Sequence, residues 1–228
     1  MKPAYYTLRP GGWRDYVSLL HLPYTLWNLS YVTIGAALAP EWRPLRLGAG
    51  LAAFFLGLGV GAHALDELHD RPLRTRIPDG VLCALAGVSL AGAVAIGVVA
   101  AIVWTPWLAA IVAFCGFMVV AYNLELFGGT FHGDWQLVVA WAVPPILAAY
   151  LAAAGNITWE AIMAAAFGAL LILAQRRLST PIRAVRRRMP EVEDDARAAV
   201  VRGAEDALRA MTAAVVCLAI ALVILRAR

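Results

Sequence analysis

The sequence predicts an all-α protein, a polytopic transmembrane helical bundle of about seven spans in one domain over residues 1–228. Three observations predict it. Of the 228 residues, 62% are hydrophobic and mean hydropathy is +0.72, where soluble domains are about half apolar. Uncharged runs recur along the whole chain. Pro, Gly and Trp punctuate the gaps between them, at Pro40-Glu41-Trp42, Trp104-Thr105-Pro106-Trp107 and Gly155-Asn156, and Trp at span edges fits an interfacial belt.

Seven spans can be drawn, at 17–39, 47–68, 80–103, 107–124, 136–154, 158–177 and 208–226. Each approaches the roughly 20 residues that cross a hydrocarbon core. Met1 to Trp13 lacks the basic cluster, short apolar core and small-residue cleavage site of a signal peptide, so the first segment is expected to remain a span. It carries His21, Pro23, Tyr24, Trp27, Asn28 and Tyr31. A polar-aromatic stripe of this kind must face the bundle or a cavity, either as interhelical hydrogen bonding or as pocket lining, which makes Asn28 a candidate substrate contact. The third segment has no ionisable group in its membrane stretch and many small residues, which suits close packing. Cys83, Cys115 and Cys217 lie in apolar segments with no disulfide or zinc spacing, and read as small buried hydrophobes.

The fourth segment ends in Tyr122 and a Gly-rich loop with Glu125, His132 and Asp134. This loop is either a solvated turn or a lid lending a polar group to a site. The sixth runs into Arg176, Arg177, Thr180-Pro181, Arg183 and Arg186 to Arg188. Pro181 is expected to break or kink the helix. Arg176, Arg177 and Arg183 are best placed to turn inward onto phosphate oxygens, with Arg186 to Arg188 toward lipid. The bland alternative is that all of them set topology and touch anionic headgroups. Residues 178–207 form an Arg-rich, amphipathic cytoplasmic connector.

Lys and Arg counts give the orientation. Lys2, Arg9, Arg14, Arg71, Arg74, Arg76 and nine arginines from Arg176 to Arg209 fall on one side, and Arg43, Arg46, Arg226 and Arg228 on the other. The positive-inside rule puts the first set in the cytoplasm. The expectation is an integral protein of the cytoplasmic membrane, N-terminus inside and C-terminus outside.

The richest stretch is His63 to Pro78. At 100° per residue, His63, Asp66, Glu67, Asp70 and Arg74 fall at about 0°, 300°, 40°, 340° and 20° around one helix end. Carboxylates crowded there repel one another unless a divalent cation neutralises them, and oxygen-rich sites suit Mg²⁺ shared with substrate phosphates. His63, Asp66, Glu67 and Asp70 are the candidate ligands, Asp66 and Asp70 the catalytic pair. Arg71, Arg74 and Arg76 could hold diphosphate oxygens. The bland alternative is a solvated cap of Asp–Arg pairs. Four histidines are too few for a histidine-box oxygenase, and Asp66-x-x-His69 is a ligand pair in spacing only, since His69 points about 100° off the main face, which argues against a redox metal.

These residues resemble the UbiA superfamily of intramembrane prenyltransferases. That family's first motif is N-D-x-x-D-x-x-x-D at the end of the second helix, followed by a stretch of Arg-Pro and Arg-x-Ile-Pro character. Asp66 and Asp70 match its last two aspartates, and Arg71-Pro72 and Arg76-Ile77-Pro78 match the following stretch. Ala62 or His63 stands where the first aspartate belongs. Tyr122 resembles a tyrosine of the diphosphate pocket, and Leu19-Leu20-His21-Leu22-Pro23 resembles the opening helix. The chain departs from the family in having about seven spans rather than nine. At the place of the second D-x-x-x-D it reads Leu178 to Arg186 with no acid. The resemblance covers about residues 15–180 and is specific around 60–78. It implies a UbiA-like fold and a Mg²⁺-dependent transfer of an isoprenoid chain from a prenyl diphosphate to a lipid-soluble acceptor, with membrane lipids and no nucleic acid as partners. The alternatives are a relative without transfer chemistry that binds a polyprenyl phosphate or anionic lipid, and a UbiA-type terpene cyclase.

Overall fold

The computed structural model describes residues 4–188 and 195–228, with the side chains of 183–199 outside the description. Among the described residues all regular structure is helical. Helix α1 (Trp13–Leu19) lies short at one end. Then come α2 (Leu22–Leu38), α3 (Pro44–Phe54), a π-helical stretch (Phe55–Ala62), α4 (His63–Asp70), α5 (Asp79–Val103), α6 (Leu108–Asn123), α7 (Asp134–Ala154), α8 (Trp159–Arg188) and α9 (Asp195–Arg226).

Five helical rods are long and apolar enough to cross a bilayer: Pro44–Asp70, Asp79–Val103, Asp134–Ala154, Trp159–Ile182 and Val200–Arg226. Leu108–Asn123 is apolar but has only 16 residues. The chain is a helical membrane protein. Its outward side chains agree: Val88, Val99, Ile102 and Val103 of α5 are exposed, and Trp13, Trp107, Trp135 and Trp159 are exposed at or next to helix starts, as an aromatic belt requires.

The first segment is not one uninterrupted helix. It breaks at His21, whose backbone is left-handed (φ 44°). Pro23 sits at the start of α2, where its missing N–H costs nothing. The Thr25 hydroxyl donates to Leu20 O across the break (2.5 Å).

Helix α2 is the axis of the bundle. Trp27, Tyr31 and Ile34 pack into a core with Val138, Ala142 and Ile146 of α7, Ala165 and Ile172 of α8, and Val215 and Ala219 of α9. On another face, Val32 and Ala36 meet Leu47 of α3 and Ala149 of α7. Its polar-aromatic stripe therefore points into protein, and the Tyr31 hydroxyl donates to Gly168 O of α8 (2.9 Å). The approach of α2 to α7 depends on Gly35, where an added Cβ would lie 2.9 Å from Ile146 Cα and closer still to its carbonyl oxygen.

Two further expectations are corrected. Pro181 does not end its helix, and α8 runs on to Arg188. Cys83 and Cys217 are exposed, so these two thiols lie on outward faces, while Cys115 is half-buried. No described cysteine forms a disulfide. Residues 189–194 of the connector, with Glu191, Glu193 and Asp194, lie outside the described residues, as does the Arg183 side chain.

The two ends of the bundle are tied differently. At the α4 end, His21 stacks on His63, Arg76 N donates to Asp15, and Arg209 of α9 lies over the Tyr5 ring. At the opposite, Arg46 end, Arg46 donates to Ala152 O of α7 (2.6 Å) and Arg226 of α9 donates to Ala39 O.

Candidate functional site

The long rod from Pro44 ends at Asp70, and Arg71 in a left-handed conformation (φ 48°) stops it. Residues 73–78 then alternate: Leu73, Thr75 and Ile77 are buried, Arg74, Arg76 and Pro78 exposed. Two buried carboxylates hold this extended segment. Glu67, 1% exposed, accepts from Leu73 N (2.9 Å), Thr75 N (2.7 Å) and the Thr75 hydroxyl (2.9 Å). Asp15 of α1 accepts from Gly11 N (2.9 Å) and Arg76 N (3.0 Å). Arg71 closes the segment from the other side, donating to Ile77 O (2.7 Å) and pairing with Asp79 at the start of α5.

Glu67 and Arg71, expected on the metal and the diphosphate, are therefore bound up in the loop. The reason is angular: Glu67 sits about 100° from Asp66, so the two carboxylates leave the helix in different directions. Asp66 and Asp70, one turn apart, share a flank; Asp66 is half-buried and Asp70 exposed. Arg74, left-handed at φ 56°, and Arg76 are exposed. A non-glycine residue rarely holds that conformation, and the loop's hydrogen bonds on both sides keep it there. Among the described residues no three of His, Cys, Asp and Glu converge as a metal cluster.

His63 lies inward. Its ring stacks on His21 at 4.0 Å and 11°, and Nδ1 lies 3.0 Å from Gly59 O. A carbonyl only accepts, so Nδ1 carries the proton and Nε2 is left as the acceptor. The Tyr6 hydroxyl lies 3.1 Å from His21 Nδ1, and Tyr24 packs edge-on to Tyr6. Beside them the Tyr5 phenol is buried with no hydrogen-bond partner among the described residues, and burial pushes it above its ordinary range. Asn28 is buried; its Nδ2 donates to Tyr24 O (2.9 Å), which fixes the amide, and Oδ1 has no partner among the described residues. That free atom is an acceptor, suited to a hydroxyl rather than to a diphosphate oxygen.

The other expected contacts form a second group. Tyr122 stacks on His132 at 4.3 Å, and His132 Nδ1 donates to Tyr122 O (2.8 Å). Arg176 Nε donates to Asp134 (2.7 Å), so this arginine clamps α8 to the start of α7. The Gly-rich loop is thereby folded back onto α6 and fixed at α7.

A separate apolar cavity, half open and with about 850 Å3 of empty space including solvent at its mouth, lies between the rod, α5, α6 and α7. It runs from Arg46 and Trp104 to the level of Leu58, Leu90 and Val119. Ala62, Leu65, Leu82 and Ala86 fill the space between that level and α4. The cavity and the aspartates thus occupy opposite halves of the bundle.

Sequence reasoning missed Asp15, Thr75, Asp79 and the His21–His63 stack. The two-residue alternation of 73–78 was the available signal for the braced segment. The stack had none, since it joins residues 42 positions apart by sequence number.

No protein-family model, no curated protein and no solved structure matches this chain.

Proposed function

We propose that the chain is an intramembrane prenyltransferase of UbiA type that receives the headgroup of a prenyl diphosphate at the α4 end. The observation that carries this reading is the braced 71–78 segment. Asp15, Glu67 and Arg71 hold its backbone, and Arg74 and Arg76 of the held segment are exposed, as Asp70 is. Two exposed guanidinium groups on a braced segment that directly follows two carboxylates in the chain are suited to a metal-bridged diphosphate.

Asp66 and Asp70 would hold Mg²⁺, with diphosphate oxygens and water completing its shell. Mg²⁺ bound there would draw charge from the leaving group. Arg74 and Arg76 stabilise the same developing charge. In the reaction, the bond between C1 of the chain and the diphosphate oxygen breaks. The acceptor bonds to C1 and releases its proton. Asn28 Oδ1 is the buried acceptor atom available to orient an acceptor hydroxyl. The prenyl tail is not assigned to the large cavity, which lies in the other half of the bundle. In this reading seven helices span the cytoplasmic membrane, with the α4 end and the N-terminus inside, consistent with the arginine distribution.

Purified protein incubated with prenyl diphosphates and a lipid extract is expected to form prenylated product only with Mg²⁺, detected by mass spectrometry. Asp66→Ala or Asp70→Ala is expected to lower turnover by about 100-fold or more. Full Mg²⁺-dependent turnover in both variants would show that these aspartates do not hold the metal.

A second reading, a polyprenyl phosphate or anionic lipid binder without transfer chemistry, is favoured by two observations: Glu67 and Arg71 serve the loop, and no three-ligand group is present among the described residues. It predicts headgroup binding through Arg74 and Arg76 with no need of Mg²⁺.

A further inference from the structure

The apolar cavity at the Arg46 end is independent of the α4 site and has its own chemistry. Small residues at helical spacing make the room: Ala49, Ala53 and Gly57 on the rod, and Ala93, Gly97 and Ala100 on α5. Its lining holds one charged side chain, Arg46. This guanidinium gives one donor to Ala152 O and lies 5.4 Å from the Trp104 ring centre. Four of its five N–H groups remain, and among the described residues it makes no ion pair. A half-buried cation at the edge of an apolar cavity, beside an interfacial Trp, calls for an anionic group on a hydrocarbon chain.

Depth narrows the occupant. From Arg46 to Phe54 the α-helical part of the rod rises about 12 Å at about 1.5 Å per residue, and the π-helical turn to Leu58 adds a few more. Half of a hydrocarbon core is about 15 Å. An acyl chain of a phospholipid in the leaflet at the Arg46 end would reach the cavity's inner end while its phosphate stays level with Arg46.

We propose that this cavity binds an acyl chain of an anionic phospholipid from that leaflet, its phosphate held by Arg46. The proposal rests on the membrane placement of the bundle and not on the diphosphate reading, so either can fail alone.

The test is native mass spectrometry of the full chain in mild detergent, titrated with dioleoyl phosphatidylglycerol, dioleoyl phosphatidylcholine or oleate. The wild type is expected to retain one phosphatidylglycerol in preference to phosphatidylcholine, and oleate should not displace it. Arg46→Gln, which keeps an N–H donor for Ala152 O, should reduce that preference by about tenfold. Gly116→Leu should abolish retention of both phospholipids, since Gly116 lines the cavity and a Cβ there meets nothing within 4 Å. Leucine also favours helix over glycine, and circular dichroism checks that the variant folds. Equal retention of the two phospholipids by the wild type, displacement by oleate, or unchanged retention in Arg46→Gln would overturn the proposal. Arg46→Gln alone decides it if Gly116→Leu does not fold.

Discussion

Glu67→Ala is expected to release the 71–78 segment and to cost about 3–5 kcal/mol of stability. The carboxylate is buried and accepts three hydrogen bonds, two of them from backbone N–H groups of Leu73 and Thr75. Removing it leaves those donors without their acceptor at a buried position. A lost hydrogen bond is cheap when water replaces it and expensive when nothing does. Glu67→Gln, which keeps the shape but turns one acceptor into a donor, should fall between wild type and alanine. Thermal unfolding in a fixed detergent gives the order, and limited proteolysis should cut first between Arg71 and Arg76. If Glu67→Ala unfolded at the wild-type temperature and resisted protease equally, the carboxylate would not be the brace described. The same variant should weaken headgroup binding even though Glu67 would touch no ligand, because Arg74 and Arg76 lose their fixed direction.

Gly35→Ala is expected to be comparably damaging, for a steric reason. The α2–α7 contact brings Gly35 against the backbone of Ile146, one residue after Pro144-Pro145 inside α7. A methyl group there meets backbone rather than the flexible end of a side chain, so no rotamer change relieves it. Overpacking of a tight core costs about 1–3 kcal/mol, and a backbone neighbour puts this substitution at or above the upper end. Because α2 is the axis of the bundle, the loss should be global: a lower unfolding temperature for every probe together. Gly116→Ala, where the added Cβ meets nothing within 4 Å, is the internal control and should be neutral. Equal stability of the two variants would contradict the close approach.

The membrane bundle was legible because hydropathy and length constrain helices in lipid directly: five of the drawn segments fall on helical rods long and apolar enough to cross a bilayer, and those at 17–39 and 107–124 fall on shorter helices. The breaks were less legible. A left-handed His21 divides the first segment, since Pro23 can start a helix as well as interrupt one. Pro181 was expected to break or kink its helix, and the break does not occur, since α8 continues past it. The site was legible as a location and not as an arrangement. Periodicity put five ionisable groups on one helix end, but Asp66 and Glu67 are adjacent and leave the helix about 100° apart. Burial then decided their partners: Glu67 turned to the loop's N–H groups, and Asp70 stayed exposed. Cavity and aspartates proved to lie in opposite halves, which the sequence could not show, because room between helices depends on how the faces of four segments meet.

The most direct test of the central claim is the binding of geranylgeranyl diphosphate to the purified chain with and without Mg²⁺, for wild type and for Asp66→Asn/Asp70→Asn. The account predicts tight binding that requires Mg²⁺ in the wild type, loses that requirement and most of its affinity in the double variant, and is unchanged in Arg46→Gln. Binding indifferent to Mg²⁺ and equal in wild type and double variant would contradict it.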